Sequence, residues 1–118
     1  MQMNATLATA LAAAAMAFAT TAASAQAYVG TWASNAAQCQ VDQSQRNAPM
    51  VITRNRYDQH EAHCTFISVR KSGPGSWRAR ARCTVEGDRQ MHTFTLAVQD
   101  STLKMGERFG SRRLVRCK

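Results

Sequence analysis

Four cysteines, Cys39, Cys64, Cys83 and Cys117, are the residues whose type and spacing most plainly imply chemistry. Zinc sites need close ligand pairs such as CxxC, and no two of these are close. An even count in a short exported chain implies two disulfides instead. His60-Glu61-Ala62-His63-Cys64 has the composition of a metal cluster. The helical HExxH motif needs His residues four apart, whereas these are three apart. On a strand, His60 and Cys64 would face one way and Glu61 and His63 the other, so both histidines read as surface residues. No Ser-His-Asp set, paired carboxylates or Gly-rich phosphate loop can be assembled. Neither enzymatic activity nor a metal or other cofactor is expected. The remaining chemistry is charge. Lys and Arg number 15 against 7 Asp and Glu, a net charge of +8, and twelve of the basic residues are Arg. Arg78, Arg80 and Arg82 stand at alternate positions, which is one face of a strand and a candidate anion-binding stripe.

Those residues fall in the stretch 64–105, which three turn signals divide into four strands. Ser72-Gly73-Pro74-Gly75 breaks the first pair, Gly87-Asp88 the second and Asp100-Ser101 the third. The first turn places Cys64 opposite Cys83, Phe66 opposite Ala81, Ser68 opposite Ala79 and Arg70 opposite Trp77. A Gly87-Asp88 loop places Cys83 opposite His92, Ala81 opposite Phe94, Ala79 opposite Leu96 and Trp77 opposite Val98. An Asp100-Ser101 loop places Val98 opposite Leu103 and Leu96 opposite Met105. All three turns select one apolar face, and a slip of one residue would exchange it for the Arg stripe. This register favours Cys64–Cys83 with Cys39–Cys117. The alternative, Cys39–Cys64 with Cys83–Cys117, would staple both chain ends to the meander. His92 falls on the core face beside Cys83, a candidate pocket residue at a barrel end. Trp32 and Trp77 would lie on the same apolar face.

Upstream, Ala27 to Ala33 reads as the first strand and Ser34 to Pro49 as a long polar loop carrying Cys39. Met50 to Thr53 and Tyr57 to Glu61 read as short strands, and Arg108 to Cys117 as the last, with a bulge at Gly110. These hairpins predict an all-β fold, a small antiparallel meander barrel of about six to eight strands stapled by two disulfides. The first and last strands should meet to close it. The N-terminus reads as a signal peptide, residues 1–25. An Ala-rich apolar run from Leu7 to Thr20 precedes Ala23-Ser24-Ala25, so cleavage is expected before Gln26. The run is shorter than the roughly 20 residues of a membrane span, so no stable membrane anchor is expected. Removing 25 residues from 118 leaves 93, a single domain at 26–118.

The opening Gly30-Thr31-Trp32 resembles the Gly-x-Trp that begins lipocalin-type barrels and the small periplasmic metalloprotease inhibitors of bacteria. The inhibitors fold as eight-stranded barrels with one disulfide and a protease-blocking N-terminal segment; the leader here is only Gln26-Ala27. The mature chain also resembles small exported bacterial proteins of unassigned function. Those share the Gly-x-Trp start, a Cys soon after, here Cys39, a spaced pair, here Cys64 and Cys83, and a closing Arg-Cys, here Arg116-Cys117. The signal, the small barrel and the lack of catalytic motifs lead to the expectation of a periplasmic or secreted, monomeric or weakly associating, non-enzymatic module that binds or inhibits an envelope or extracellular protein. One alternative is a polyanion binder that takes lipopolysaccharide or nucleic acid on the Arg face. Another is a lipocalin-like carrier of a small apolar ligand, with His92, Trp32 and Trp77 as its pocket.

Overall fold

Alternation with period two, broken at turn residues, yields a closed eight-stranded antiparallel meander in the computed structural model. The structure describes residues 26–118 together with 2, 3, 9, 10 and 12–15. Most of the expected signal segment, with its cleavage motif at 23–25, lies outside the described residues. The strands are β1 (Gly30–Ala33), β2 (Met50–Ile52), β3 (Arg56–Gln59) and β4 (Ala62–Gly73), then β5 (Ser76–Val85), β6 (Asp88–Gln99), β7 (Thr102–Glu107) and β8 (Gly110–Arg116). β1 pairs with β8 through Trp32 with Arg116 and Ala33 with Val115, which closes the barrel. Both disulfides follow the register-favoured pairing, Cys39–Cys117 and Cys64–Cys83. The Cα atoms of Cys64 and Cys83 are 4.0 Å apart, as at a narrow, non-hydrogen-bonded position of an antiparallel pair.

The interior is built from the expected face. Trp77, Ala79, Ala81 and Cys83 of β5 and Phe94 and Leu96 of β6 are buried. Leu103 and Met105 of β7, Leu114 of β8 and Trp32 of β1 are buried with them. Tyr28, just before β1, packs edge-on against Trp77 with ring centroids 5.1 Å apart. It closes one end of the core.

Several expected details are corrected. The first strand starts at Gly30, not Ala27, and the third at Arg56 rather than Tyr57, ending at Gln59. The polar loop contains a turn of 3-10 helix at Ala37–Gln40. Gly110 is not a bulge: it pairs with Glu107 to close a two-residue hairpin at Arg108-Phe109. In the β4–β5 pair, Cys64 and Phe66 keep their expected partners. The register then shifts at Ile67, so Val69, not Ser68, faces Ala79, and Arg70 faces Arg78 rather than Trp77. The extra residue turns apolar Val69 toward the core and Arg70 away from it.

The β5–β6 pair is displaced by two residues. Cys83 faces Gln90, Ala81 faces His92, Ala79 faces Phe94 and Trp77 faces Leu96, with Glu86-Gly87 as the loop. Its φ values are +50° and +89°. A two-residue loop with positive φ at both positions prefers Gly second, which selects Glu86-Gly87 over Gly87-Asp88. A shift of two leaves every side chain on its face, so the core pattern is blind to it. The β6–β7 register is as expected, with Leu96 facing Met105 and Val98 facing Leu103.

Candidate anion-binding face

β5 alternates buried Trp77, Ala79, Ala81 and Cys83 with exposed Arg78, Arg80 and Arg82. Along a strand, alternate Cα atoms are about 6.7 Å apart, so the three guanidinium groups form one row. The bulge at Ile67 adds a fourth: Arg70 lies directly opposite Arg78. Like charges directly opposed on a sheet repel. Among the described residues the acidic groups make their ion pairs elsewhere. Asp58 pairs with Arg56 and His63, Glu61 with His60, and Glu107 with Arg112. Hydroxyls interleave with the row. Arg80 has Ser68 on one side and Thr93 on the other, Arg78 has Thr95, and Arg82 has Thr65. The face thus offers guanidinium and hydroxyl donors at strand spacing, the donor set that phosphate, sulfate or carboxylate oxygens accept from.

Sequence reasoning put Arg70 opposite Trp77, because its place beside Arg78 depends on one extra residue in β4. Next to the row, Arg78, Met91, Thr93, Thr95 and Phe109 line a cleft of about 600 Å³. Phe109, at the β7–β8 hairpin tip, is 93% exposed, and the Arg108 guanidinium lies 5.3 Å from its ring centroid.

The three candidate pocket residues are not brought together. His92 is half-buried on the interior side of β6 but faces Ala81, not Cys83. Its ring stacks on Phe94 at 5.7 Å and its Nε2 is 2.7 Å from Gln90 Oε1. Trp32 is fully buried, and its indole N–H donates to the Tyr28 carbonyl at 2.9 Å. The Arg116 guanidinium covers its other side, 4.2 Å from the ring centroid, and donates to the Val29 and Ala27 carbonyls. Trp77 borders a separate cleft of about 530 Å³ together with Tyr28, Arg54 and Lys71.

The histidines of the 60–64 stretch serve local structure. His60 sits in a turn at φ +51°, where its backbone N–H donates to Gln43 Oε1 and its Nδ1 meets the Gln43 carbonyl. His63 Nδ1 lies 2.6 Å from Asp58 Oδ1. Burial raises the pKa of Asp58, but hydrogen bonds and charge from Arg56 and His63 outweigh it and hold the carboxyl below its ordinary value. Burial pushes the Tyr57 and Tyr28 phenols up; the nearby Arg54 charge partly offsets this at Tyr28. No group of three metal-ligating side chains forms among the described residues, and no described helix is long and apolar enough to cross a membrane. Comparisons with protein-family models, curated proteins and solved structures find no match for this chain.

Proposed function

We propose that the protein is an exported, non-enzymatic binding module that engages an acidic surface of an envelope or extracellular protein through Arg70, Arg78, Arg80 and Arg82. The observation that carries this reading is the exposed Arg row, which among the described residues has no acidic partner in ion-pair contact. Opposed like charges cost stability, and an acidic partner would remove that cost on binding. The two disulfides are compatible with an oxidising compartment. The carrier alternative is less supported, because Trp32, Leu96, Leu103 and Met105 occupy the barrel interior and the clefts of about 530 and 600 Å³ are open ones lined in part by exposed side chains.

The test immobilises wild-type protein and the triple variant R78Q/R80Q/R82Q and passes envelope extract over both in a salt series. Partner proteins should be retained by wild type, released by salt and lost from the variant. Retention of the same proteins by both would remove the Arg face from the reading.

The interleaved Ser68, Thr65, Thr93 and Thr95 hydroxyls favour a second reading, in which the ligand is a polyanion such as lipopolysaccharide or nucleic acid. There the logarithm of affinity for heparin or lipopolysaccharide should fall with log salt by about 0.7–0.9 per contact. The triple variant should lower that slope by about two to three units. Since exposed substitutions usually change stability by no more than about 0.5 kcal/mol, the variant should stay folded.

A further inference from the structure

β4 is twelve residues long and β3 is four. β3 covers β4 only from Ala62 to Thr65. Beyond that, the Phe66 N–H donates to the Asn55 carbonyl, and no described strand pairs with the outer side of Ile67 to Gly73. The narrow Cys64–Cys83 position determines which backbone groups this leaves. The flanking pairs, and after the bulge Ser68 with Arg80 and Arg70 with Arg78, direct their N–H and C=O groups into the β4–β5 ladder. Val69 and Lys71 therefore direct theirs away from β5, onto the uncovered edge. This edge borders the cleft of about 530 Å³, whose apolar floor is Val69, Trp77 and Tyr28 and whose charged rim is Arg54 and Lys71. Ile67, 51% exposed, stands at its entrance.

We propose that the open edge of β4 from Ile67 to Lys71 takes an extended acidic segment of the partner protein as an added antiparallel or parallel strand. This deepens the first reading above and rests on it. The added backbone would bond to the groups of Val69 and Lys71. Its alternate side chains would divide between the apolar cleft and the outer side beside Arg70. Charge selects the occupant. A second copy would bring Arg54, Arg70 and Lys71 against their own equivalents, and a bulge with edge charges is a usual defence against self-pairing. The same three charges attract a strand that carries Glu or Asp.

The probe is a short synthetic peptide of alternating Glu and Val, with two versions N-methylated at alternate residues in opposite phase. A strand added at one edge bonds through every second residue, so one phase of methylation should weaken binding by about tenfold or more and the other should not. Amide exchange at Val69 and Lys71 should slow when the unmodified peptide binds, and R54E/K71E should lose that binding. R78Q/R80Q/R82Q, whose charges lie one strand away on β5, should weaken all three peptides by a similar factor and leave the difference between the two methylation phases in place. Binding that ignores methylation phase and disappears in the triple Arg variant overturns the edge while leaving the Arg-face reading intact. If only lipopolysaccharide or single-stranded DNA binds, and does so through Arg78, Arg80 and Arg82, the edge and the protein-partner reading both fall.

Discussion

Arg116 and Gly30 show how much a single position can decide. The Arg116 guanidinium stacks on Trp32 and donates to two backbone carbonyls of the segment before β1, across 87 and 89 residues of sequence. A Cβ on Gly30 would lie 2.5 Å from Arg116 Nη1, so a side chain there would push the guanidinium off the indole. The Gly-x-Trp opening and the Arg-Cys ending, read separately in the sequence, are thus two halves of one contact. Asp58 carries the clearest pH dependence. Its carboxyl is held below the ordinary value by Arg56 and His63 after burial has pushed the other way. A depressed carboxyl adds stability that is present above the unfolded value and lost as pH falls through the folded one. The melting temperature of wild type should therefore fall as pH drops through and below the ordinary carboxylate range of about 4. Asp58→Asn should be less stable near neutrality by up to about 1 kcal/mol, as for partly exposed ion pairs, and its pH profile should be flatter in acid. Parallel profiles for the two proteins would show that Asp58 is not the group responsible.

The eight strands depend unequally on their cross-links. β4, β5 and β6 pair over ten registered positions at each junction. β1 and β8 share only two, Trp32 with Arg116 and Ala33 with Val115. Cys39–Cys117 guards that seam and spans 78 residues; Cys64–Cys83 lies inside the well-paired hairpin and spans 19. In the chain-entropy model the first should stabilise by about 4.5 kcal/mol and the second by about 3 kcal/mol. Urea unfolding of C39A/C117A and C64A/C83A measures the difference. A smaller loss from C39A/C117A would mean that the β1–β8 seam holds without its disulfide. The β4 edge belongs to this scale as well: it exists because β2 and β3 are short while the central meander is long.

For the molecule as a whole, charge and compartment are linked. All 22 charged residues lie after residue 25, so the part of the chain from residue 26 onward carries the full +8. Such a charge discourages self-association and favours acidic partners. The expected cleavage after Ala23-Ser24-Ala25 gives a concrete outcome: intact-mass measurement of exported protein should find 93 residues beginning at Gln26 with no free thiol. An uncleaved N-terminus at Met1 would remove the basis for export.

The alternating apolar face, the turn positions 72–75 and 100–101 and the approach of Cys64 to Cys83 could be read from the sequence. All are local, since side-chain direction alternates with period two and turns follow from a few neighbouring residues. Export and the basic surface were expected from the same string of residues. Tertiary pairing decided the rest. The choice of Glu86-Gly87 over Gly87-Asp88 moved β6 by two residues without changing any face, so hydrophobic alternation could not register it. The extra residue at Ile67 reversed the facing of the β4 positions after it, which set Arg70 against Arg78 and turned Val69 inward. The open edge depends on where β3 begins, at Arg56 opposite Thr65 just after the tight β2–β3 turn, and not on any signal within β4.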